Sequence, residues 1–172
     1  MSDAGPLIHL AQIGKLHLLK ELFGCVLVSV EVKREAVDEG IRLGYADAQL
    51  IMEAIGEGWI MVRDLPKSAV SVAKKLMRDE NLSRADAETL VLAKQRRAQI
   101  IVDEKILSDL AKMFGLKTWN TWTVLLESLG RKYIRFADVE VAINELADKR
   151  HRLRAEQAAE MLRAARLVGK QK

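Results

Sequence analysis

Asp3, Glu35, Asp86 and Asp103 stand at four separated points of a 172-residue chain, each at the edge of an apolar run or in the first turns of a helical one. Asp3 precedes Ala4-Gly5-Pro6, where Pro6 can start a helix, and Glu35 lies one turn into the helix after Val26-Leu27-Val28. Asp86 falls in the first turn of a helix beginning near Ser83, and Asp103 follows Ile100-Ile101-Val102. Ligands of a parallel α/β sheet gather outside the carboxyl ends of its strands, so these four carboxylates are expected to converge. Converging carboxylates repel one another where the dielectric falls, and hard divalent cations bound by oxygen relieve that repulsion. His and Cys are absent from the set, so Mg2+ or Mn2+ suits it better than zinc. An ion so held lowers the pKa of bound water and stabilises charge on a phosphate oxygen. That is the chemistry of phosphodiester hydrolysis.

Each acid also has a plainer role open to it. Asp86 fits N3 of a capping box, Ser83-Arg84-Ala85-Asp86, and Asp103 fits the N-cap of a helix over Glu104 to Phe114. Glu35 fits a solvated helix face beside Lys33 and Glu39, and Asp3 a loose terminal residue. The two sets of roles differ in electrostatics. Gathered acids should have some of their pKa values raised, and Asp103→Asn should then leave the metal-free fold at least as stable as before.

The elements that must position these acids follow from periodicity. Short β-branched runs at Cys25 to Val28, Trp59 to Val62, Ile100 to Val102 and Leu116 to Trp119 alternate with helical segments, which predicts an α/β fold with a parallel sheet covered on both faces. Leu16, Leu19 and Phe23 mark one helix, Val30, Val37 and Ile41 a less regular second, and Ala85, Val91 and Leu92 a third. Gly24, Gly40, Gly58 and Gly115 fall where helices should stop. From Phe136 onward no strand-like run occurs. Apolar residues recur at Phe136, Val139, Ile143 and Leu146, then at Ala158, Met161, Ala165 and Val168, which predicts two amphipathic helices separated near Lys149 to Arg154. The expected division is residues 1–134 for the catalytic domain and 135–172 for a helical extension packed on it or on a dimer partner.

Composition narrows the function classes. Hydrophobic residues make up 49% of the chain, enough for one well-buried core. No signal-peptide pattern and no apolar run of roughly 18 residues is present, so no membrane contact and a cytoplasmic location are expected. Cys25 is the lone cysteine, excluding an internal disulfide, and its place in an apolar run predicts burial. His9, His17 and His151 lack ligand-like pairing and read as helix-surface or helix-end residues. The net charge is +4, but residues 131–172 hold 11 Lys+Arg against 6 Asp+Glu, leaving 17 against 18 in the rest. A basic tail on a near-neutral body predicts an anionic partner, with Arg150, Arg152 and Arg154 as its nucleic-acid contacts. A phosphatase or phosphoryl-transfer enzyme would need a D-x-D nucleophile motif or a Gly-rich phosphate cradle such as G-x-x-x-x-G-K, and the chain has neither.

The ordered series of motifs resembles a known family. Asp3-Ala4-Gly5-Pro6-Leu7-Ile8 with Ile13-Gly14-Lys15-Leu16 and Leu18-Leu19 is similar to the opening D-A-S-P-L-I…I-G-x-L-x-L-L of PIN-like proteins related to the VapC toxins. The stretch from Val28 to Glu35 resembles the V-P-x-x-V-x-x-E element that supplies the second acid. Asp86-Ala87-Glu88 through Leu92-Ala93 resembles the segment of the third, and Ile101-Val102-Asp103-Glu104 the strand end of the fourth. Gly115 to Thr121 with Val124-Leu125-Leu126 resembles the closing G-L-x-V-x-G-T-x-x-V-L. Coverage runs from about residue 3 to residue 134. The resemblance implies a three-layer PIN fold and metal-dependent ribonuclease activity, often as the toxin of a toxin-antitoxin pair, with Asp3, Glu35, Asp86 and Asp103 as catalytic acids and metal ligands. Glu88, Glu104 and Thr121 are secondary candidates, with Asp86 placed ahead of Glu88 because residues two apart on a helix point in different directions.

The departures from that pattern are specific. Gly5 stands where a small hydroxyl residue is usual, Ser29 and Val30 lack the prolines, and Asn120 replaces a glycine. Loss of the hydroxyl at position 5 removes a hydrogen bond that would orient a metal ligand. Only Met1 and Ser2 precede Asp3, spanning about 7 Å at 3.3 Å per residue, so either the natural product starts upstream or Asp3 is poorly fixed. The leading expectation is an endoribonuclease that acts on RNA, forms a homodimer and pairs with an antitoxin. The alternative is a non-catalytic PIN-like module that binds RNA or protein.

Overall fold

The computed structural model describes residues 1–148 and 155–170, so Arg150, Arg152 and Arg154, the expected nucleic-acid contacts, lie outside the described residues. The architecture is α/β. Strand β1 (Val26–Ser29) pairs in parallel with β2 (Ile60–Arg63), and β3 (Ile100–Ile101) with β4 (Thr118–Trp119). Residues 1–3 join the two pairs into one sheet. Ser2 N–H donates to the Leu27 carbonyl at 2.9 Å, Ile101 N–H to the Met1 carbonyl at 2.9 Å, and Asp3 N–H to the Ile101 carbonyl at 3.0 Å. The spatial order is therefore β2, β1, residues 1–3, β3, β4. The expectation of a loosely held Asp3 is corrected here, because a segment hydrogen-bonded on both sides needs no length of its own to be fixed.

Strand alternation divides the core. Val26, Val28 and Ile101 face one cluster, built with α1 (Ala4–Gln12), α2 (Leu18–Phe23), α5 (Ala46–Gly56) and α9 (Thr121–Gly130). Met1, Leu27, Ile100 and Val102 face the other, built with α7 (Arg84–Gln95) and α8 (Lys105–Met113). A period of two along each strand thus buries both faces of the sheet. The helix α6 (Val70–Asp79) packs outside α7 through Ala73, Ala87 and Val91. No helix among the described residues is long and apolar enough to cross a membrane.

The irregular second helix has a structural cause. Between α3 (Val30–Lys33) and α4 (Gly40–Arg42) the chain runs as a π-helix over Arg34–Glu39, whose wider turn breaks the 3.6-residue period. Gly24, Gly58 and Gly115 take positive φ at helix ends as expected, but Gly40 does not: it is helical and buried, and a Cβ there would lie 2.5 Å from the Ala48 Cβ. Its missing side chain lets α4 meet α5, and Gly44 (φ 77°) makes the turn instead.

Cys25 is exposed, correcting the expectation of burial. It precedes β1 directly after Gly24, whose φ is 70°, and so sits at the sheet margin rather than inside it. The helices α10 (Phe136–Asp148) and α11 (Ala155–Lys170) pack on α9 and on each other. Val139, Ala142, Ile143, Leu146 and Ala165 extend the first core cluster. Ala158, Met161 and Val168 pack against it, so the predicted apolar stripe of the tail is consumed within the chain.

Candidate functional site

Asp3 ends the terminal strand segment and is the N-cap of α1, with extended backbone at ψ 169°. Its side chain makes no capping bond, and the residue is only 8% exposed. Burial pushes its carboxyl up to about 7, and the negative charges of Asp86 and Glu35 add to the rise; the N–H groups of Ala4 and Gly5 oppose it. Those two acids therefore lie close enough to act on Asp3.

Glu35 reaches the site from the π-helical turn. Ser29 starts its helix by accepting the Val32 N–H at 3.1 Å. Partial burial raises the Glu35 carboxyl, Arg34 draws it down, and the charges of Asp86, Glu39 and Glu31 raise it again. Asp86 is the N3 residue of α7: its N–H donates to the Ser83 Oγ at 3.1 Å, and that hydroxyl donates to Asp86 Oδ2 at 2.8 Å. The capping role and the place beside Asp3 are compatible, since capping uses one carboxylate oxygen and leaves the other.

Asp103 behaves differently. It is not the cap of α8, whose N-cap is Glu104. Its Oδ1 accepts the Thr121 N–H at 2.8 Å; its Oδ2 accepts the Thr121 hydroxyl at 2.7 Å and pairs with His9 Nδ1 at 2.6 Å. Burial alone would raise this carboxyl, but the His9 bond and both Thr121 bonds outweigh it and hold it below its ordinary value. The anion also sits at the positive end of the α9 dipole. These bonds stabilise the carboxylate where it stands and so argue against the expectation that Asp103→Asn leaves the metal-free fold at least as stable.

Asp3 and Asp103 flank one space. A Cβ on Gly5 would lie 3.9 Å from Oδ2 of each, so these oxygens are at most twice that distance apart. Among the described residues, however, no three His, Cys, Asp or Glu side chains are drawn together closely enough to hold a metal ion. The structure gathers the carboxylates around one region without closing them into a coordination shell. Their chemistry fits a hard divalent cation: the donors are all oxygen, and burial first, with repulsion from neighbouring acids adding to it, raises two of them.

The secondary candidates separate. Thr121 is buried against Asp103, whereas Glu104 is exposed. Glu88 is buried and turned to Arg84, whose Nε donates to it at 2.9 Å. Arg84 Nη1 also lies 2.9 Å from Glu31 Oε1, and Arg34 Nε donates to Glu31 Oε2 at 2.8 Å. This chain of ion pairs ties α3 and the π-helical turn that follows it, which carries Glu35, to α7, which carries Asp86. Sequence reasoning missed His9, Glu31 and Arg84 as supporting residues. His9 follows Gly5 by four residues, so both lie on one face of α1, but a search for paired histidines does not find a histidine that pairs with an aspartate 94 residues away.

A family model described as a PIN domain matches residues 1–167. No curated protein and no solved structure matches the chain.

Proposed function

The chain belongs to the PIN-domain family, and from that premise we propose that it is a divalent-metal-dependent endoribonuclease. PIN domains are generally nucleases and typically use divalent metals. The observation that carries the finer reading is the buried Asp3, raised to about 7 by its surroundings and by the charges of Asp86 and Glu35. Burial and repulsion together make ionising Asp3 costly, and a bound cation would offset that cost.

Asp3, Glu35 and Asp86 would hold magnesium or manganese, with Asp103 beside them on the Gly5 side of the same space. When bound there, such a cation would lower the pKa of a bound water and offset charge on the scissile phosphate. The protein's own groups fix the carboxylates: ladder bonds hold Asp3, Ser83 holds Asp86, and Thr121 with His9 holds Asp103. We extend the proposal to RNA as substrate, an antitoxin protein as partner, and a homodimer formed through surfaces other than the stripe already packed on α9.

One observation favours a second reading, a non-catalytic RNA- or protein-binding module: the described carboxylates do not close into a coordinating group. Asp86→Asn separates the two, because asparagine keeps the helix cap and removes a ligand charge. With magnesium present, wild type should cut single-stranded RNA, and Asp86→Asn should do so on the order of 100-fold more slowly, with RNA binding retained. Binding without magnesium-dependent cleavage in the wild type establishes the module instead.

A further inference from the structure

Two long stretches of the chain, Thr89 to Val102 and Leu110 to Leu126, hold basic residues and no Asp or Glu. The fold joins them at the amino ends of β3 and β4. Ile100 N–H donates to the Lys117 carbonyl at 3.0 Å, Lys94 Nζ to the Phe114 carbonyl at 2.5 Å, and Trp119 Nε1 to Gln99 Oε1. Lys117 and Arg131, the C-cap of α9, line one cleft together with Thr118, Thr123 and Trp119.

Cations at helix C-termini have an ordinary role, because the dipole favours them there. Lys94 fills that role on the Phe114 carbonyl, Lys112 lies 3.7 Å from Asp109, and Arg131 donates to Glu127 at 2.8 Å. Arg96, Arg97 and Lys132 are exposed and have no carboxylate partner among the described residues, and Lys117 lies over the Trp119 ring at 4.8 Å. The backbone gives an independent sign. Just past α2, α5 and α8 the positive φ is taken by Gly24, Gly58 and Gly115, but past α7 and α9 it is taken by Arg97 (φ 50°) and Lys132 (φ 63°). An L side chain is disfavoured in that conformation, and residues held in it cluster at functional sites.

We propose that this end of the sheet binds the phosphate backbone of single-stranded RNA, with Arg96, Arg97 and Lys117 as contacts. A recessed cation flanked by hydroxyls in a cleft fits a strand better than a flat lipid surface. The surface lies at the end of the sheet opposite the acidic residues, so it holds the strand away from the place of cleavage. It rests on the reading above only in taking RNA as the ligand, and it needs no metal.

Binding of a fluorescent oligouridylate to the full chain is measured by anisotropy in chelator over a range of salt. The slope of log affinity against log salt should shrink by about 2 when Arg96→Gln, Arg97→Gly and Lys117→Gln are combined, at about 0.7 for each phosphate contact on a single strand. Arg97→Gly alone should lose about 0.7 and unfold no lower than wild type, since glycine accepts this backbone conformation more readily. Lys67→Gln, an exposed cation beyond the carboxyl end of β2, should leave the slope unchanged. An unchanged slope in the combined variant overturns the proposal. An equal loss in Lys67→Gln and Arg97→Gly does so too, because net charge then accounts for the effect. If Arg97→Gly only lowers the unfolding temperature, the arginine is a helix-end residue and the proposal fails. Binding to phosphatidylserine vesicles but not to RNA also overturns it. RNA bound here but not cut with magnesium removes the nuclease reading alone, whereas RNA cut with unchanged slopes removes this surface alone.

Discussion

In chelator at pH 8, Asp3→Asn should unfold at a higher temperature than wild type, and the difference should close as the pH is lowered toward 4. The sign follows from linkage. The Asp3 carboxyl is raised from 3.8 to about 7 in the folded protein, so between those values the native state binds a proton that the unfolded chain has released. Its contribution to stability is complete below about 4 and is lost as the pH rises through about 7. A shift of about three units corresponds to about 4 kcal/mol at most, or on the order of 10 °C for a chain of this size. Asparagine is neutral throughout and keeps an oxygen for the N–H groups of Ala4 and Gly5. Excess magnesium should reverse the order at pH 8, because only wild type offers the full charge to the cation. Unfolding curves of both proteins at pH 4, 6 and 8, with chelator and with metal, read all of this. A wild type whose stability does not fall between pH 4 and 8 contradicts the electrostatic account of the site.

The second large effect belongs to Arg84. Arg84→Met should destabilise the fold by about 2–3 kcal/mol, since it strands Glu88 without its cation. The Glu88 and Glu31 side chains are 7% and 11% exposed, while Arg84 is 63% exposed, which keeps the figure below that of a fully buried pair. Glu31 retains Arg34 and suffers less. Arg84→Lys should recover only part of the loss, because one ammonium does not reproduce two differently directed N–H donors. Arg78→Ala is the control: its pair with Asp79 is exposed on both sides, and its loss should cost under about 0.5 kcal/mol. Urea unfolding of the four proteins measures the series. Equal stability of Arg84→Met and Arg78→Ala would show that the tie between α3 and α7 is dispensable.

Period and strand-end logic made the α/β class and the candidate acids legible from sequence. Each strand is a short apolar run whose alternation is visible, and each candidate acid lies beside such a run or in the first turns of a helix. Other features were hidden for definite reasons. The π-helical turn at Arg34–Glu39 carries no residue signature, so the segment read only as irregular. Gly40 reads as a helix end because glycine there usually supplies positive φ, whereas its actual role is a close approach to Ala48 that depends on another helix. Length alone makes residues 1–3 look loose, but they are fixed by hydrogen bonds to neighbours on both sides. The contrast between Asp3 and Asp103 was also invisible. Both are aspartates at strand ends, and only three-dimensional partners make one pKa rise and the other fall.

If separate carboxylates form one cation site, a manganese titration at pH 8 reads it. Calorimetry on wild type, Asp3→Asn, Glu35→Gln, Asp86→Asn and the exposed control Glu104→Gln is sufficient. Saturable binding is expected in wild type and in Glu104→Gln, with affinity reduced about tenfold or more in each of the other three. The contradicting result is wild type with no saturable binding, or five proteins that bind manganese alike.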